Sequence, residues 1–245
     1  MKKEKTFAFT LAEILITLGI IGVVAAMTIP TLISNYQKKV WTHQLQHSYA
    51  LLTQGFRRML ADDNTTSLGQ TEVFLSIAGE EDPDMGGYNC DFTMETDSNN
   101  CKDFYTNLRK YFKIADIKNF KSSDNYGWYF LNGNPHFDFS LYTYSAIVLM
   151  DGTMIVVPNF SSKVRPYGIG NFYIDVNGVK KPNKYGRDLF EFYLGDDGIL
   201  YPRGSKSDDE YWKTTASEYE KCENDGVSYG FGCAGRIMEE GKMNY

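Results

Sequence analysis

The sequence predicts an α+β fold in which a long N-terminal α-helix packs on an antiparallel β-sheet head. Residues 7–35 form a nearly uncharged apolar run, and residues 33–61 continue it with apolar side chains at mostly helical spacing. From residue 142 onward, short apolar strands alternate with Asp-Gly and Asn-Gly turns. We therefore expect one helix with a membrane half and an amphipathic half, followed by a β-rich head.

The apolar run is long enough to cross a bilayer. The segment 14–33 carries no charge, and a helix of that length spans about 30 Å, the thickness of the hydrocarbon core. Lys2, Lys3 and Lys5 precede the run, and because basic residues favour the cytoplasmic side, they orient the N-terminus towards the cytoplasm. We therefore expect a single-pass protein of the inner, cytoplasmic membrane with its head on the outer side.

Glu13 is the single ionisable residue within the run and lies near its beginning. A carboxylate in an apolar membrane helix costs roughly 2.5–3.5 kcal/mol on insertion scales, so its presence requires a functional reason. The segment FTLAE, residues 9–13, followed by the apolar run, resembles the N-terminal motif of type IV pilins and type II secretion pseudopilins. Pro30 also matches, because members of this family commonly carry a helix-kinking proline at the corresponding place.

The resemblance implies processing of the N-terminus. In this family a prepilin peptidase cleaves just before the Phe and methylates the new N-terminus, which here places the cut between Ala8 and Phe9 and the methyl group on Phe9. Ala8 departs from the usual glycine, although alanine is the next smallest side chain. The expected domains are a leader peptide, residues 1–8, a transmembrane and amphipathic helix, residues 9–61, and an extracytoplasmic pilin-like head, residues 62–245.

The same resemblance implies roles and partners. Glu13 is expected to neutralise the N-terminal amine of a neighbouring subunit during assembly, and Pro30 to kink the helix. The partners are prepilin peptidase, other pilin or pseudopilin subunits, an inner-membrane assembly platform and the lipid bilayer. The expected function is that of a minor pilin or pseudopilin in a type IV pilus or a type II secretion pseudopilus.

Other interpretations of the N-terminus compete with this one. A secretory signal cleaved near residues 24–26 (VAA) would release a soluble protein. The apolar run is longer than the apolar region of such a signal, however, and Glu13 places a charge near its beginning. A plain signal anchor explains the run and the lysines but gives no reason for the FTLAE segment. The alternative function is a membrane-anchored, exported binding or adhesin protein that does not polymerise.

Four cysteines, Cys90, Cys101, Cys222 and Cys233, form two pairs with ten residues between the members of each pair. An even number outside the cytoplasm indicates disulfides, and local bonds, Cys90–Cys101 and Cys222–Cys233, are the simplest of three connectivities. Closing such short loops stabilises a fold by roughly 2–3 kcal/mol. A four-cysteine zinc site is the alternative, but its paired CxxC motifs are missing.

Local signals divide the rest of the chain into elements. Residues 62–100 are rich in loop signals and are expected to be irregular, and residues 102–117 carry apolar side chains that fit one face of a second helix. Residues 236–245 are expected to be disordered. Strands are predicted over residues 144–150, 153–157, 172–176, 189–194 and 199–201.

The sequence contains no GxSxG motif, no Walker loop and no GxGxxG that opens a helix. His43 and His47 stand four residues apart, the spacing of a metal pair, but the acidic residue of HExxH is missing between them, which favours solvated histidines. We therefore expect a protein that is not an enzyme and holds neither cofactor nor metal. The net charge of −6 also disfavours nucleic-acid binding, which needs a basic surface.

A turn-rich segment begins at Asp175 and ends at Asp188. It resembles part of a calcium loop, because Ca²⁺ prefers several oxygen ligands on a flexible turn. Some pseudopilin heads similarly hold calcium near the C-terminal strands. The EF-hand pattern is not met, however, and Lys180, Lys181 and Lys184 would oppose a cation. Turn formation is therefore the favoured interpretation of the segment, and calcium binding is the alternative.

Overall fold

The computed structural model describes residues 10–76, 99–120, 127–136, 144–157, 170–205 and 222–245. The chain divides into two units, Met1–Val40 and Trp41–Tyr245, and the boundary falls inside the first helix. The helices are α1 (Leu11–Asp62), a 3-10 helix (Leu68–Gln70), α2 (Glu72–Leu75), α3 (Asn99–Leu108) and α4 (Cys233–Glu240). The strands are β1 (Ile114–Phe120), β2 (Tyr144–Leu149), β3 (Met154–Val157), β4 (Gly170–Asp175), β5 (Leu189–Leu194) and β6 (Leu200–Pro202).

The six strands form one antiparallel sheet in which each strand pairs with the next along the chain. The register aligns Ile117, Ile147, Ile155, Ile174 and Phe190 in a row across five strands. Because side chains opposite each other in a sheet point to the same face, this row gives the sheet one continuous apolar face. The predicted α+β class is confirmed, and β2 pairs with β3 and β5 with β6 across short turns.

The second half of α1 covers this apolar face. Leu45, Leu52, Phe56 and Met59 recur at spacings of three, four or seven residues and are at most 2% exposed, so they form one buried stripe. The ring of Phe56 meets that of Phe172 on β4 edge-to-face, with centroids 5.8 Å apart. Full burial of such side chains stabilises the fold by roughly 1.5–3 kcal/mol each. The amphipathic half of α1 is therefore an integral part of the head.

Aromatic side chains cover the opposite face of the sheet. Ala146, Met154 and Val156 on β2 and β3 are buried there in a cluster that includes Trp128 and Tyr185. The cluster also holds Phe130, stacked on Tyr229 with ring centroids 4.3 Å apart, and the partly buried Tyr173 and Phe231. Both faces of the sheet are therefore buried, which explains why β5 is buried at five of its six positions.

The prediction of a second helix over residues 102–117 is correct up to residue 108 and wrong for residues 109–117. The helix α3 ends at Leu108, and residues 114–120 form strand β1, in which Ile114 lies opposite Leu149. Phe112 is buried like the apolar residues of α3, although the helix has already ended. Its spacing from those residues fits a helix, and the sequence pattern therefore predicted a helix that is too long. Pairing with β2 decides the conformation of β1, and no local pattern contains that information.

The segment after α1 is less irregular than predicted. The 3-10 helix and α2 lie within residues 62–76, and their side chains Leu68, Val73 and Phe74 are buried in the core. The ring of Phe74 meets that of Phe104 on α3 edge-to-face, at 5.9 Å between centroids. Residues 77–98, the rest of the predicted irregular segment, lie outside the described residues.

The prediction that residues 236–245 are disordered is also wrong. Most of α4 lies in this range, and the Tyr245 hydroxyl donates a hydrogen bond to the Gly186 carbonyl at 2.6 Å. The Arg187 guanidinium donates to the Tyr245 carbonyl oxygen at 3.1 Å, and Met243 is buried in the main core. These contacts to the turn before β5 order the segment, because they satisfy its polar groups and bury its apolar ones.

Candidate functional site

Thr10 and Glu13 close the beginning of α1 with reciprocal hydrogen bonds. The Oε2 atom of Glu13 accepts hydrogen bonds from the backbone N–H and the hydroxyl of Thr10, both at 2.8 Å. The Thr10 hydroxyl oxygen accepts one from the Glu13 N–H at 3.3 Å. This is a capping box, which satisfies N–H groups that a helix start leaves without intrahelical partners.

The signal for this capping box is present in the sequence, although the box was not among the expectations above. A Thr followed three residues later by a Glu, immediately before an apolar run, is the usual signature. The box gives Glu13 a structural role that requires no second subunit. It does not remove the cost of placing a charge beside lipid, because the carboxylate keeps its charge.

The helix surface after Glu13 is apolar and exposed. Leu11 is 76% exposed and Met27 is 74% exposed, and none of the most apolar 18-residue window is buried. That window has a mean hydropathy of 2.2. By length and composition this helix can cross a bilayer, a criterion that a secretory signal near the N-terminus also meets. Gly19 and Gly22 have open space where a Cβ would lie, so no packing among the described residues requires a glycine at either position.

Pro30 lies inside α1 and does not end it. A proline in a helix interior supplies no N–H to the carbonyl four residues before it, and its ring crowds that carbonyl. The nearby Thr28 hydroxyl donates to the Val24 carbonyl at 2.9 Å, which satisfies its own polar group within the helix. The kink that the sequence predicts at Pro30 stays a prediction.

The cleavage and methylation sites, Ala8 and Phe9, lie outside the described residues. Cys90 lies outside them as well, and Cys101 belongs to α3 without a described side chain. The Cys90–Cys101 bond therefore stays a prediction. The Cys222–Cys233 bond is formed, with the two Cα atoms 4.8 Å apart, and its prediction is confirmed.

This disulfide is buried together with Leu131, and it joins the beginning of the last described segment to the first residue of α4. The Arg236 guanidinium donates to the Cys222 carbonyl, so the same stretch is held by a hydrogen bond as well as by the covalent bond. Because disulfides persist in oxidising compartments, this bond supports an extracytoplasmic head.

The oxygens of Asp188 are used within the segment between β4 and β5. Oδ2 accepts a hydrogen bond from the N–H of Asn183 at 2.8 Å, and Oδ1 accepts one from the N–H of Lys184 at 2.7 Å. Burial raises the pKa of Asp188, and these backbone hydrogen bonds oppose the increase. Burial also lowers the pKa of Lys184. The geometry is that of a turn closed by a carboxylate, as the favoured interpretation expects.

The described histidines of α1 are exposed, and one of them faces an acidic side chain. The Nε2 atom of His47 lies 3.7 Å from Oδ2 of Asp151 on the β2–β3 turn, and His43 is exposed one turn away. Within the described ranges, no group of three or more His, Cys, Asp or Glu side chains is placed to hold a metal ion.

A buried ion pair in the sheet was missed by the sequence analysis. The Arg203 guanidinium donates to Oε2 of Glu191 at 2.6 Å, and the two side chains are 16% and 3% exposed. The same guanidinium lies 4.3 Å from the centroid of the Phe231 ring, and Asn171 donates to the other Glu191 oxygen. Glu191 interrupts the apolar strand LFEFYL, and that interruption was the available signal.

No protein-family model, no curated protein and no solved structure matches this chain. What can be stated is therefore the architecture of the fold and of its first helix. A long N-terminal apolar helix that continues into an antiparallel sheet domain is a pilin-like architecture. The apolar helix is consistent with a membrane anchor or a signal, and the disulfide with a head outside the cytoplasm.

Proposed function

We propose that this chain is a minor pilin or pseudopilin, inserted in the cytoplasmic membrane and assembled into a type IV pilus or a type II secretion pseudopilus. The observation that carries the proposal is the division of α1. Its first half exposes apolar side chains on all sides, whereas its second half buries one stripe of side chains in the head. An exposed apolar surface of this size needs lipid or other protein around it, and filament assembly would exchange one for the other.

The N-terminal sequence supports the processing step of this proposal. Prepilin peptidase would cleave between Ala8 and Phe9 and methylate Phe9, and an assembly platform would then add the subunit to neighbouring pilin or pseudopilin subunits. The role proposed for the chain is structural, and it requires no catalytic activity.

Mass spectrometry of the N-terminal peptide tests the proposal directly. The full-length gene is expressed in a host that has a prepilin peptidase, and the protein is purified from the membrane fraction. The expected N-terminus is N-methylated Phe9. Retention of Met1, or an N-terminus near Met27, would contradict the proposal, because the first indicates a plain anchor and the second a cleaved secretory signal.

One observation favours a second candidate function, a membrane-anchored binding or adhesin protein that does not polymerise. The Glu13 carboxylate already accepts two hydrogen bonds within its own helix, so it does not need the N-terminal amine of a neighbouring subunit as a partner. Shearing cells and probing the filament fraction for the head separates the two functions. A processed chain that stays entirely with the membrane supports the second one.

A further inference from the structure

A cavity of about 230 Å³ lies within the second unit, between α1, strand β1, the β2–β3 turn and the segment after β4. A cavity of this size has room for several water molecules or for a small organic ligand. Its apolar lining includes Val148, Met154, Val176 and Val179. Such a mixture of apolar wall and a few polar groups is typical of small-ligand sites.

Two lysines give the cavity a positive charge. Lys118 of β1 and Lys180 after β4 both line it, and neither forms an ion pair with any residue of the described segments. Asp151 also lines the cavity, but its Oδ1 accepts a hydrogen bond from the Thr153 N–H at 2.9 Å and its Oδ2 faces His47. The carboxylate is therefore committed to the turn, and the two ammonium groups remain available to an anion.

Two amide side chains supply hydrogen-bond acceptors. The Oε1 atom of Gln44 and the Oδ1 atom of Asn177 are buried and have no hydrogen-bond partner in the part of the chain that the structure describes. The amide nitrogen of Asn177 donates to the Lys181 carbonyl at 3.4 Å. This hydrogen bond assigns the nitrogen and oxygen positions of the Asn177 amide, so that Oδ1 is the atom left as an acceptor. A buried acceptor is unfavourable until a donor reaches it, so a ligand with an N–H group would satisfy these atoms.

The wall of the cavity is held in place by a close approach between two turns. Gly178 has a φ of +67°, and a Cβ at this position would lie 2.7 Å from the Gly152 carbonyl oxygen. Both residues line the cavity. A side chain at residue 178 would push the two turns apart, so glycine allows them to meet and to form the wall before any ligand binds.

We propose that this cavity binds the carboxylate end of an apolar amino-acid residue, either as a free amino acid or as the last residue of a peptide. The carboxylate would pair with Lys118 and Lys180, and the N–H would donate to Gln44 or Asn177. The apolar side chain of the ligand would pack on the apolar lining. This site does not depend on filament assembly, because every residue of it belongs to one head.

Binding is measured by isothermal titration calorimetry on the full-length chain in detergent micelles, with three probes. N-acetyl-L-leucine carries the carboxylate, the N–H and an apolar side chain, whereas N-acetyl-L-leucinamide lacks the carboxylate and should bind about tenfold more weakly or not at all. L-leucine distinguishes the two sources of the ligand. Binding of L-leucine supports a free amino acid, and binding of N-acetyl-L-leucine alone supports a peptide end.

Variants then test whether the lysines hold the carboxylate. Lys118→Met and Lys180→Met should each weaken binding of N-acetyl-L-leucine about tenfold, whereas Lys113→Met, an exposed lysine in the same part of the chain, should leave it unchanged. Val179→Trp should block the cavity without altering a buried residue. No heat with either carboxylate probe at millimolar concentration, or equal binding by the Lys118 and Lys113 variants, would overturn the proposal.

Discussion

Glu13 accepts two hydrogen bonds from Thr10, at 2.8 Å each, and thereby caps the helix that carries it. This relationship separates two reasons for a carboxylate at this place. One is local capping, which needs an acceptor oxygen, and the other is pairing with a neighbour's N-terminal amine, which needs a negative charge. Glutamine keeps the first property and loses the second, because Gln also serves in a capping box.

Glu13→Gln is therefore the variant that distinguishes the two roles. If the charge acts in assembly, as the resemblance to pilins implies, Glu13→Gln should be processed normally but lost from sheared filaments to the same extent as Glu13→Leu. Thr10→Ala is the matched control, because it removes a cap worth about 1 kcal/mol and leaves the charge in place. Incorporation of Glu13→Gln at the parent level would show that capping alone is required.

The residue before the proposed cut gives a prediction about processing. A peptidase that accepts glycine or alanine at this position should not accept a long charged side chain, so Ala8→Glu should accumulate as a full-length, membrane-bound precursor. Ala8→Gly should be processed at least as fast as the parent. The measurement is electrophoretic mobility of the membrane fraction over time, and unchanged mobility of Ala8→Glu would exclude cleavage at this site.

Gly55 allows α1 to approach the segment after α3. A Cβ at this position would overlap the Phe112 ring, which also packs edge-to-face on Phe56 with centroids 5.4 Å apart. Gly55→Ala should therefore destabilise the head by about 1–3 kcal/mol through overpacking, despite the better helix propensity of alanine. The measurement is the melting temperature of the full-length chain in detergent.

Gly22→Ala is the matched control for Gly55→Ala, because open space surrounds residue 22 and the same propensity gain applies. The double variant Gly55→Ala/Phe112→Leu should recover part of the lost stability, since the two positions are in contact and their effects are not additive. Equal melting temperatures for Gly55→Ala and the parent would contradict the close packing of Phe112 on α1.

The Tyr201 hydroxyl gives a prediction about alkaline stability. Burial, followed by a hydrogen bond to Asp197, raises the pKa of Tyr201 to about 12 from its ordinary value of 10.0. Because the folded-state pKa is raised, its contribution to stability is fully present below the unfolded value and is lost as the pH rises through about 12. Melting temperatures of Tyr201→Phe should therefore fall less steeply than those of the parent across this window. Parallel curves would rule out this titration.

Local signals predicted the parts of the fold that are locally determined. The Asp-Gly pair at residues 151–152 fixed the β2–β3 hairpin, and the cysteine spacing predicted the Cys222–Cys233 bond. Strand β1 could not be predicted, because its conformation depends on a partner strand that follows 24 to 35 residues later in the chain, with Leu149 opposite Ile114 and Tyr144 opposite Phe120. The order of residues 236–245 depends likewise on Gly186, which is distant in sequence.

The candidate site shows the same division. The FTLAE segment drew attention to Glu13 from sequence alone, and the T-x-x-E pattern within it would also have predicted the capping box. The lysine-lined cavity was not predictable, because Lys118, Asn177 and Gln44 meet only when the helix and the sheet are in place. Side chains that converge from distant segments leave no periodic pattern in a sequence.

The segment between Asp175 and Asp188 provides the last prediction. Both Asp188 oxygens accept backbone N–H groups, and the Asp175 Oδ1 accepts the N–H of Asn177 at 3.2 Å, so these carboxylates stabilise the turns themselves. Asp188→Ala should destabilise the head by about 1–3 kcal/mol, because it leaves two N–H groups without their acceptors in a largely buried place. The melting temperature measures this loss, and the loss should be the same with millimolar Ca²⁺ and with a chelator.

The calcium alternative predicts a different set of results. A bound ion would raise the melting temperature of the parent in Ca²⁺, because a ligand that binds only the folded state stabilises it, and Asp188→Ala would abolish the increase. Asp188→Asn is the informative control, since it keeps one acceptor oxygen but removes the charge that a cation requires. If the turn role is correct, Asp188→Asn should lose less stability than Asp188→Ala, and neither variant should differ from the parent in its response to Ca²⁺. A calcium-dependent increase confined to the parent would replace the turn interpretation with a metal site.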